Sequence, residues 1–354
     1  MSVMYLRGGA PLEGSLAVHG AKNSVLPILA ACLLAREPVT LHNCPRLTDV
    51  TAALGILRQL GCRAVQEGHT VTVDPAGASG CSISEDQMRA MRSSIIFLGP
   101  MLARMGEAHL TYPGGCELGP RPIDLHLSAI RAMGCAVSED RGIHCQGRPQ
   151  GGEIQLSLPS VGATENAMLC AVGASGPTTI ANAAREPEIG DLQSFLNLLG
   201  ARVRGAGSST ITVEGGRILH GGEYAVMGDR IVAATLLSAA ACAGGRVRLS
   251  GVDWRHLATV LSVFHQAGCR VESRMEYVEL VRDRDVPLKG VPTIRTAPYP
   301  GFPTDAISTI FVSTFPSTQI SITTTKKVTA NAIYERYLDV MFRKSCRKFS
   351  VYAE

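Results

Sequence analysis

Cys116 stands in the run Tyr112-Pro113-Gly114-Gly115-Cys116-Glu117-Leu118-Gly119-Pro120-Arg121-Pro122. Three glycines and three prolines there specify a loop rather than a helix or strand. A loop thiol five residues before Arg121 suits acid or nucleophile chemistry better than packing; the competing reading is an exposed cysteine without a role. Lys22 lies in Gly20-Ala21-Lys22-Asn23-Ser24, directly before an apolar helix. Asn23 or Ser24 can cap that helix, and its free N–H groups plus a lysine make an anion site. The alternative is a solvated lysine. Arg92, in Met91-Arg92-Ser93-Ser94, and Arg230 hold the same place before two other apolar helices. Recurring cations at helix starts fit a multiply anionic ligand, or else surface charge. Asp305 closes Pro298-Tyr299-Pro300-Gly301-Phe302-Pro303-Thr304-Asp305, where three prolines fix the approach to the next helix start. Its carboxylate reads equally as a general base and as an N-cap.

The elements that position these residues repeat. Four apolar helices read VLPILAACLLA, SIIFLGPMLARM, ENAMLCAVGA and IVAATLLSAAACA, each followed by a strand, PVTLHN, EAHLTYP, PTTIANA or GRVRLSG. An amphipathic helix then ends at Gly61, Gly134, Gly200 or Gly268, placed as a C-terminal glycine cap. The unit is about seventy residues long, and repetition on that scale governs the fold. One unit cannot bury both its apolar helix and its half-apolar sheet, so several pack with helices inside and sheets outside. Met227-Gly228-Asp229-Arg230 reads as a domain boundary after three units.

The repeat sorts the candidates. Cys62, Cys135 and Cys269 follow the repeat glycine, while Cys32, Cys170 and Cys242 sit in the apolar helices; all six read as small buried residues. Cys116 has no such counterpart. Leu41 lies eight positions before Asp49, but Leu110 lies fourteen before Asp124. The six extra residues are the glycine loop, an insertion in one repeat that the common fold does not need. Arg46 and Asp49 hold the repeat positions of Arg121 and Asp124, and Asp191 matches Asp124 in the third unit. Helix capping accounts for the aspartates; Arg121 reads equally as functional and as structural.

Composition bounds the function class. The 354 residues are 45% hydrophobic with net charge +4, enough for two domains and mildly suited to small anions. No Lys/Arg-rich run interleaves with aromatics, which argues against nucleic-acid binding. Residues 1–20 lack the pattern of a signal peptide, and Ser24–Ala35 is too short to span a bilayer. Eleven cysteines without a secretory signal predict reduced thiols in a cytoplasm. With no CxxC and no HxxxH, the spacing predicts no zinc site.

Together these residues resemble the enolpyruvyl transferases, in particular the branch acting on a UDP-linked sugar. The resemblance runs from about residue 7 to Asp305 through GAKN at 20–23, MRSS at 91–94, PGGCELGPRPIDLH at 113–126, SVGATEN at 160–166, NAAREPEI at 182–189, DRI at 229–231 and FPTD at 302–305. The Gly-Gly-Cys loop separates that branch from the shikimate-pathway relative. The implied fold is an α/β, two-domain inverse α/β barrel, with residues 21–228 an inserted three-unit domain carrying the Cys116 loop. Residues 1–20 plus 229–354 would form the second domain, with its last unit missing and a divergent tail over 306–354. The implied reaction transfers the enolpyruvyl group from phosphoenolpyruvate to the 3′-hydroxyl of UDP-N-acetylglucosamine, the first committed step of peptidoglycan synthesis.

The resemblance also implies roles. Cys116 would protonate the methylene carbon and form an adduct with phosphoenolpyruvate. Lys22 and Arg121 would hold the phosphate, and Asp305 would take or orient the sugar hydroxyl proton. Lys22, Asn23, Arg92, Arg121, Pro122, Ile123, Asp124, Leu125, Ser160, Val161, Gly162 and Asp305 would bind the substrates, with the loop closing over them. No cofactor, metal, nucleic acid, membrane or obligate protein partner is implied. After Asp305 the family's Phe-Glu-Asn-Arg motif has only Tyr334-Glu335-Arg336 as a counterpart, at the wrong distance. An inactive relative that only binds the UDP-sugar, or a frameshifted product, is therefore the alternative reading. Cys116→Asp is expected to keep a proton donor and abolish alkylation of this loop by a phosphoenolpyruvate-like epoxide. Intact-protein mass spectrometry checks this; unchanged labelling in the variant would locate the reaction at another thiol.

Overall fold

Gly61, Gly134, Gly200 and Gly268 have φ of 99°, 81°, 101° and 98°, a region that side chains disfavour. Each lets a helix turn sharply into a strand. The next residue (Cys62, Cys135, Ala201 or Cys269) donates its N–H back to Leu57, Ile130, Leu196 or Phe264. That bond spans five residues and marks the Schellman end of a helix. The sequence repeat is therefore a repeat of geometry.

The structure, a computed structural model, describes residues 10–113, 123–140, 142–291 and 294–306. The chain divides into two units, Gly20–Met227 and Met1–His19 with Gly228–Glu354. The first described strand, β1 (Leu12–Ala17), belongs to the discontinuous unit.

Three repeats make up Gly20–Met227. The first holds α1 (Lys22–Ala31), a 3-10 turn Cys32–Leu34, β2 (Val39–His42), α2 (Thr48–Gln59), β3 (Arg63–Glu67) and β4 (Thr70–Asp74). The second holds α3 (Glu85–Ala90), a 3-10 turn Ser94–Phe97 running into α4 (Leu98–Met105), β5 (Glu107–Leu110), α5 (Asp124–Ala132), β6 (Ala136–Ser138) and β7 (Ile143–Gln146). The third holds β8 (Gly152–Gln155), α6 (Val161–Val172), β9 (Pro177–Ala181), α7 (Pro187–Leu198), β10 (Arg202–Arg204) and β11 (Thr210–Glu214), with β12 (Gly222–Ala225) beyond it.

Each repeat builds the same sheet, in the orders β2-β4-β3, β5-β7-β6 and β9-β11-β10. On the free edge of the first strand a parallel neighbour is added: β12 on β2, β8 on β9, and a bridge from Ser82 to His109 on β5. The strands alternate as half-buried sheets require; in β11 Ile211 and Val213 are buried while Thr210 and Thr212 face out. Buried residues run unbroken through Ser24–Ala31 of α1 and Ala163–Val172 of α6, because those helices carry no charged face to put in water. Helices inside and sheets outside is thus the observed layering of this unit.

The other unit continues with α8 (Arg230–Ala243), β13 (Gly245–Ser250), a 3-10 turn Trp254–Leu257, α9 (Ala258–Gln266), β14 (Arg270–Ser273) and β15 (Tyr277–Arg282). Its sheet has the order β1-β13-β15-β14, with β1 parallel to β13 from Leu12↔Gly245 onward. Leu237, Leu249, Phe264, Val278 and Leu280 form its core.

The expectation of six buried cysteines needs one correction. Cys32, Cys62, Cys135, Cys170 and Cys269 are buried, but Cys242 is exposed. The apolar helix α8 packs one face on β13, β15 and β1, and Thr235 and Cys242, two turns apart, lie on its outer stripe.

Substituting the repeat glycines separates backbone strain from crowding. At Gly268 an added Cβ meets only Lys289 Cγ at 4.0 Å, whereas at Gly61 it would lie 2.4 Å from the Gly77 carbonyl oxygen. Gly268→Ala is expected to cost about 1–2 kcal/mol, the left-handed penalty alone. Gly61→Ala should cost more, because backbone must also move. Denaturant unfolding of both variants tests that order.

Candidate active site

Helix starts gather at one end of Gly20–Met227, joined pairwise by side chains of their first two turns. Lys22, the first residue of α1, pairs with Asp49, the second residue of α2. Ser24 donates its hydroxyl to Asp191 in α7. Thr164 in α6 accepts at Oγ1 from the Ala184 N–H, in the segment leading to α7, at 3.0 Å. Asn166, two residues on, has no exposure. Its Oδ1 accepts from the Gly99 N–H of α4 at 2.6 Å, and its Nδ2 donates to the Ile95 carbonyl at 2.9 Å. The same Nδ2 lies 3.0 Å from Nδ1 of His126 in α5. These contacts bring together the N-terminal turns of six helices, where unpaired N–H groups and the helix dipoles favour an anion.

Several capping expectations are corrected here. Asn23 and Ser24 do not cap α1; its N-cap is Ala21, without a side-chain bond. Lys22 and Asn23 are helical residues, and the Ser24 hydroxyl is committed to Asp191. Asp49 and Asp124 lie inside the first turns of α2 and α5, whose N-caps are Leu47 and Ile123. Asp191 lies a full turn into α7, where it accepts from Ser24, from the Tyr224 hydroxyl at 2.6 Å and from the Met227 N–H at 3.3 Å. Burial pushes its carboxyl above the usual range, and those three hydrogen bonds pull the other way. A carboxylate that joins two helices replaces the cap because its donors come from distant segments.

The other expected residues fall as follows. Arg92 and Asn23 are exposed, and Arg92 stands two residues before the 3-10 turn Ser94–Phe97 that leads to α4. Ile123 is buried; Asp124 is exposed and Leu125 half-buried at the start of α5. Ser160 is the N-cap of α6, and Val161 and Gly162 are its first two residues, all half-buried. Gly162 allows a close approach, since a Cβ there would come within 3.1 Å of His126 Cε1. Lys22, Asn23, Asp124 and Ser160–Gly162 thus occupy the helix starts just described. Cys116, Arg121 and Pro122 lie outside the described residues, as does the tail reading beyond Ala306.

In the discontinuous unit, Asp305 is exposed among the helical residues 304–306. Arg230 is the buried first residue of α8, its guanidinium 5.8 Å from the Tyr299 ring centre, and Asp229 caps the helix through Ile231 and Val232. Sequence reasoning missed Ser24, His126, Thr164, Asn166 and Tyr224 as the residues that hold the helix starts together. Thr164 and Asn166 do fall in the quoted run SVGATEN, and His126 closes the quoted run PGGCELGPRPIDLH, the signals that could have found them.

The described thiols divide by reactivity. Burial pushes Cys62 and Cys269 up to about 11, and Cys44 and Cys145 up to about 12. Cys32 and Cys170 are raised further in the same direction. At neutral pH such groups stay protonated and inert.

Comparison with known proteins follows the same span. A family model described as EPSP synthase (3-phosphoshikimate 1-carboxyvinyltransferase) matches residues 6–336. UDP-N-acetylglucosamine 1-carboxyvinyltransferase 2 of Caldanaerobacter subterraneus subsp. tengcongensis is 46% identical over 307 residues, 86% of this chain and 73% of that protein. UDP-N-acetylglucosamine 1-carboxyvinyltransferase 1 of Symbiobacterium thermophilum is 45% identical, over 84% of this chain and 69% of that protein. Among solved structures, the enolpyruvyl transferase NikO from Streptomyces tendae superposes with a TM-score of 0.80 at 23% identity, covering 94% of this chain and 80% of that one. EPSP synthase from Acinetobacter baumannii gives a TM-score of 0.66 at 20% identity, covering 95% and 80%. The fold is the two-domain inverse α/β barrel of these structures.

Asn166→Leu keeps the branched heavy-atom frame of the side chain but removes the amide that the Gly99 N–H, the Ile95 carbonyl and His126 Nδ1 share at the join between α4, α5 and α6. Two buried backbone groups lose their partner, so the expected cost is about 2–5 kcal/mol. Urea unfolding measures it; a loss below about 1 kcal/mol, the contribution of one neutral hydrogen bond, would show that the join is not held this way.

Proposed function

Because the chain belongs to the EPSP synthase family of enolpyruvyl transferases, we propose that it moves the enolpyruvyl group of phosphoenolpyruvate to the 3′-hydroxyl of UDP-N-acetylglucosamine and releases phosphate. One observation carries the choice of acceptor: identity of 46% and 45% to proteins named for that sugar nucleotide, over most of the chain. The reaction is an addition followed by an elimination. The sugar oxygen bonds to C2 of phosphoenolpyruvate while C3 takes a proton, giving a tetrahedral ketal. The ketal then loses a C3 proton and phosphate, leaving the enolpyruvyl ether.

Cys116 supplies the C3 proton in this reading, and Asp305 takes the proton of the sugar hydroxyl. Lys22 and Arg121 counter the phosphate charge as it develops. Asn23, Arg92, the segment Arg121–Leu125 and Ser160–Gly162 bind the UDP-sugar. Support for that assignment is the gathering of helix starts in Gly20–Met227, which offers oriented N–H groups to a diphosphate. Residues 21–228 are read as the domain inserted into the second, 1–20 plus 229–354. The strand pair β1–β13, which joins residues on either side of that span, supports this. The reaction is placed at the first committed step of peptidoglycan synthesis in the cytoplasm. Among the described residues no helix is long and apolar enough to cross a membrane.

Phosphate release should require both substrates and match the enolpyruvyl ether formed. Lys22→Ala is expected to lower kcat/KM by about 10²–10³. Its thermal midpoint should hardly move, because a solvent-screened ion pair such as that of the exposed Lys22 with the half-buried Asp49 contributes about 0–1 kcal/mol. Turnover with shikimate 3-phosphate in place of the UDP-sugar, or no phosphate release at all, would overturn the proposal.

A further inference from the structure

The outer face of the sheet β5-β7-β6 carries chemistry that enolpyruvyl transfer does not use. Glu107 and His109 are two apart on β5 and so share a face. His144 on β7 stands directly opposite His109 in the antiparallel register. The two imidazoles stack, with ring centres 4.1 Å apart and planes at 17°. One carboxylate oxygen of Glu107 lies 2.9 Å from His109 Nε2 and 3.5 Å from His144 Nε2.

Cys81 reaches this face by a separate route. The segment preceding α3 lies along the free edge of β5: His109 donates its N–H to the Cys81 carbonyl at 2.7 Å, and Ile83 donates to the His109 carbonyl at 3.0 Å. Two backbone bonds therefore hold the thiol beside the imidazole. The ligand atoms of Cys81, Glu107 and His109 all lie within 4.8 Å of one another, and each residue is only half-buried.

We propose that Cys81, Glu107 and His109 form a site for a borderline divalent transition ion, zinc above all, with the fourth position left to water. The donor set selects the ion. One thiolate, one imidazole and one carboxylate suit tetrahedral zinc, whereas magnesium and calcium take oxygen ligands. Metal–ligand bonds of 2.0–2.3 Å set neighbouring donors roughly 3.3–3.8 Å apart, so side-chain rotation alone closes the site. Strand pairing fixes all three backbones beforehand, and the stacked His144 keeps the His109 ring in place. No short motif marks these residues, because the three come from two segments joined only by the sheet edge. Their position also has a consequence. The bound ion would fasten the stretch before α3 and Arg92 to β5, the strand from which the chain runs on to the Cys116 loop.

Equilibrium dialysis of the full chain against zinc chloride, and optical titration with cobalt(II), test the site. The expected result is one ion per chain with micromolar or tighter affinity, and a thiolate-to-cobalt charge-transfer band. Cys81→Ser should remove that band, and both it and His109→Asn should weaken zinc by about tenfold or more. Circular dichroism verifies that both variants remain folded. Cys116→Ser, which removes the loop thiol, should leave band and affinity unchanged. Absence of binding at millimolar zinc, retention of the band in Cys81→Ser, or its loss in Cys116→Ser would each overturn the site.

Discussion

A helix that starts inside an apolar core leaves N–H groups that water cannot reach, and in this protein one carboxamide answers that constraint. Asn166 is fully buried, takes the Gly99 N–H of α4 and gives to the Ile95 carbonyl one turn earlier. The cost of leaving such groups unpaired, about 1–3 kcal/mol each, is what obliges α4 and α6 to meet in one register. His126 on the same amide brings α5 to the same place. Once these starts are aligned, the polar ends of the helices face one way and the apolar lengths fill the core.

The same economy recurs in the second turn of α7. Asp191 is a half-buried carboxylate whose three donors come from α1, β12 and the Met227 backbone. The two joins differ in charge, and the difference matters. A neutral amide is indifferent to pH, whereas the raised Asp191 carboxyl favours its protonated form in the fold. Its contribution is therefore fully present below the ordinary carboxylate range and falls as pH rises through the raised value. The three hydrogen bonds limit that loss.

Much of this architecture was legible from the chain alone. Four glycines spaced at the repeat interval announced four Schellman turns, and all four are present with positive φ. The strands Val39–His42, Glu107–Leu110, Pro177–Ala181 and Gly245–Ser250 lie within the branched runs that marked them. What failed was reasoning about caps. Asn23, Ser24, Asp49, Asp124 and Asp191 are ordinary capping types beside helix starts, yet none of them caps. Ser24, Asp49 and Asp191 have partners that only distant segments supply, and Asn23 and Asp124 lie inside the first turns of their helices. Cys242 failed for a related reason: composition marks α8 as apolar, but a helix is buried only where something packs against it.

Local order was thus determined by the sequence itself: the repeat, the glycine turns, the alternating strands, the apolar helices and the motifs that mark the enolpyruvyl transferases. Those features depend on residues a few positions apart, where φ/ψ preference and side-chain period act directly. Tertiary structure decided which side chains meet across long stretches of chain. Lys22 reaches Asp49, Ser24 reaches Asp191, Asn166 reaches Gly99, and Cys81 arrives beside His109. Such pairings follow from packing and strand register, and neither is written in the spacing of the residues that they bring together.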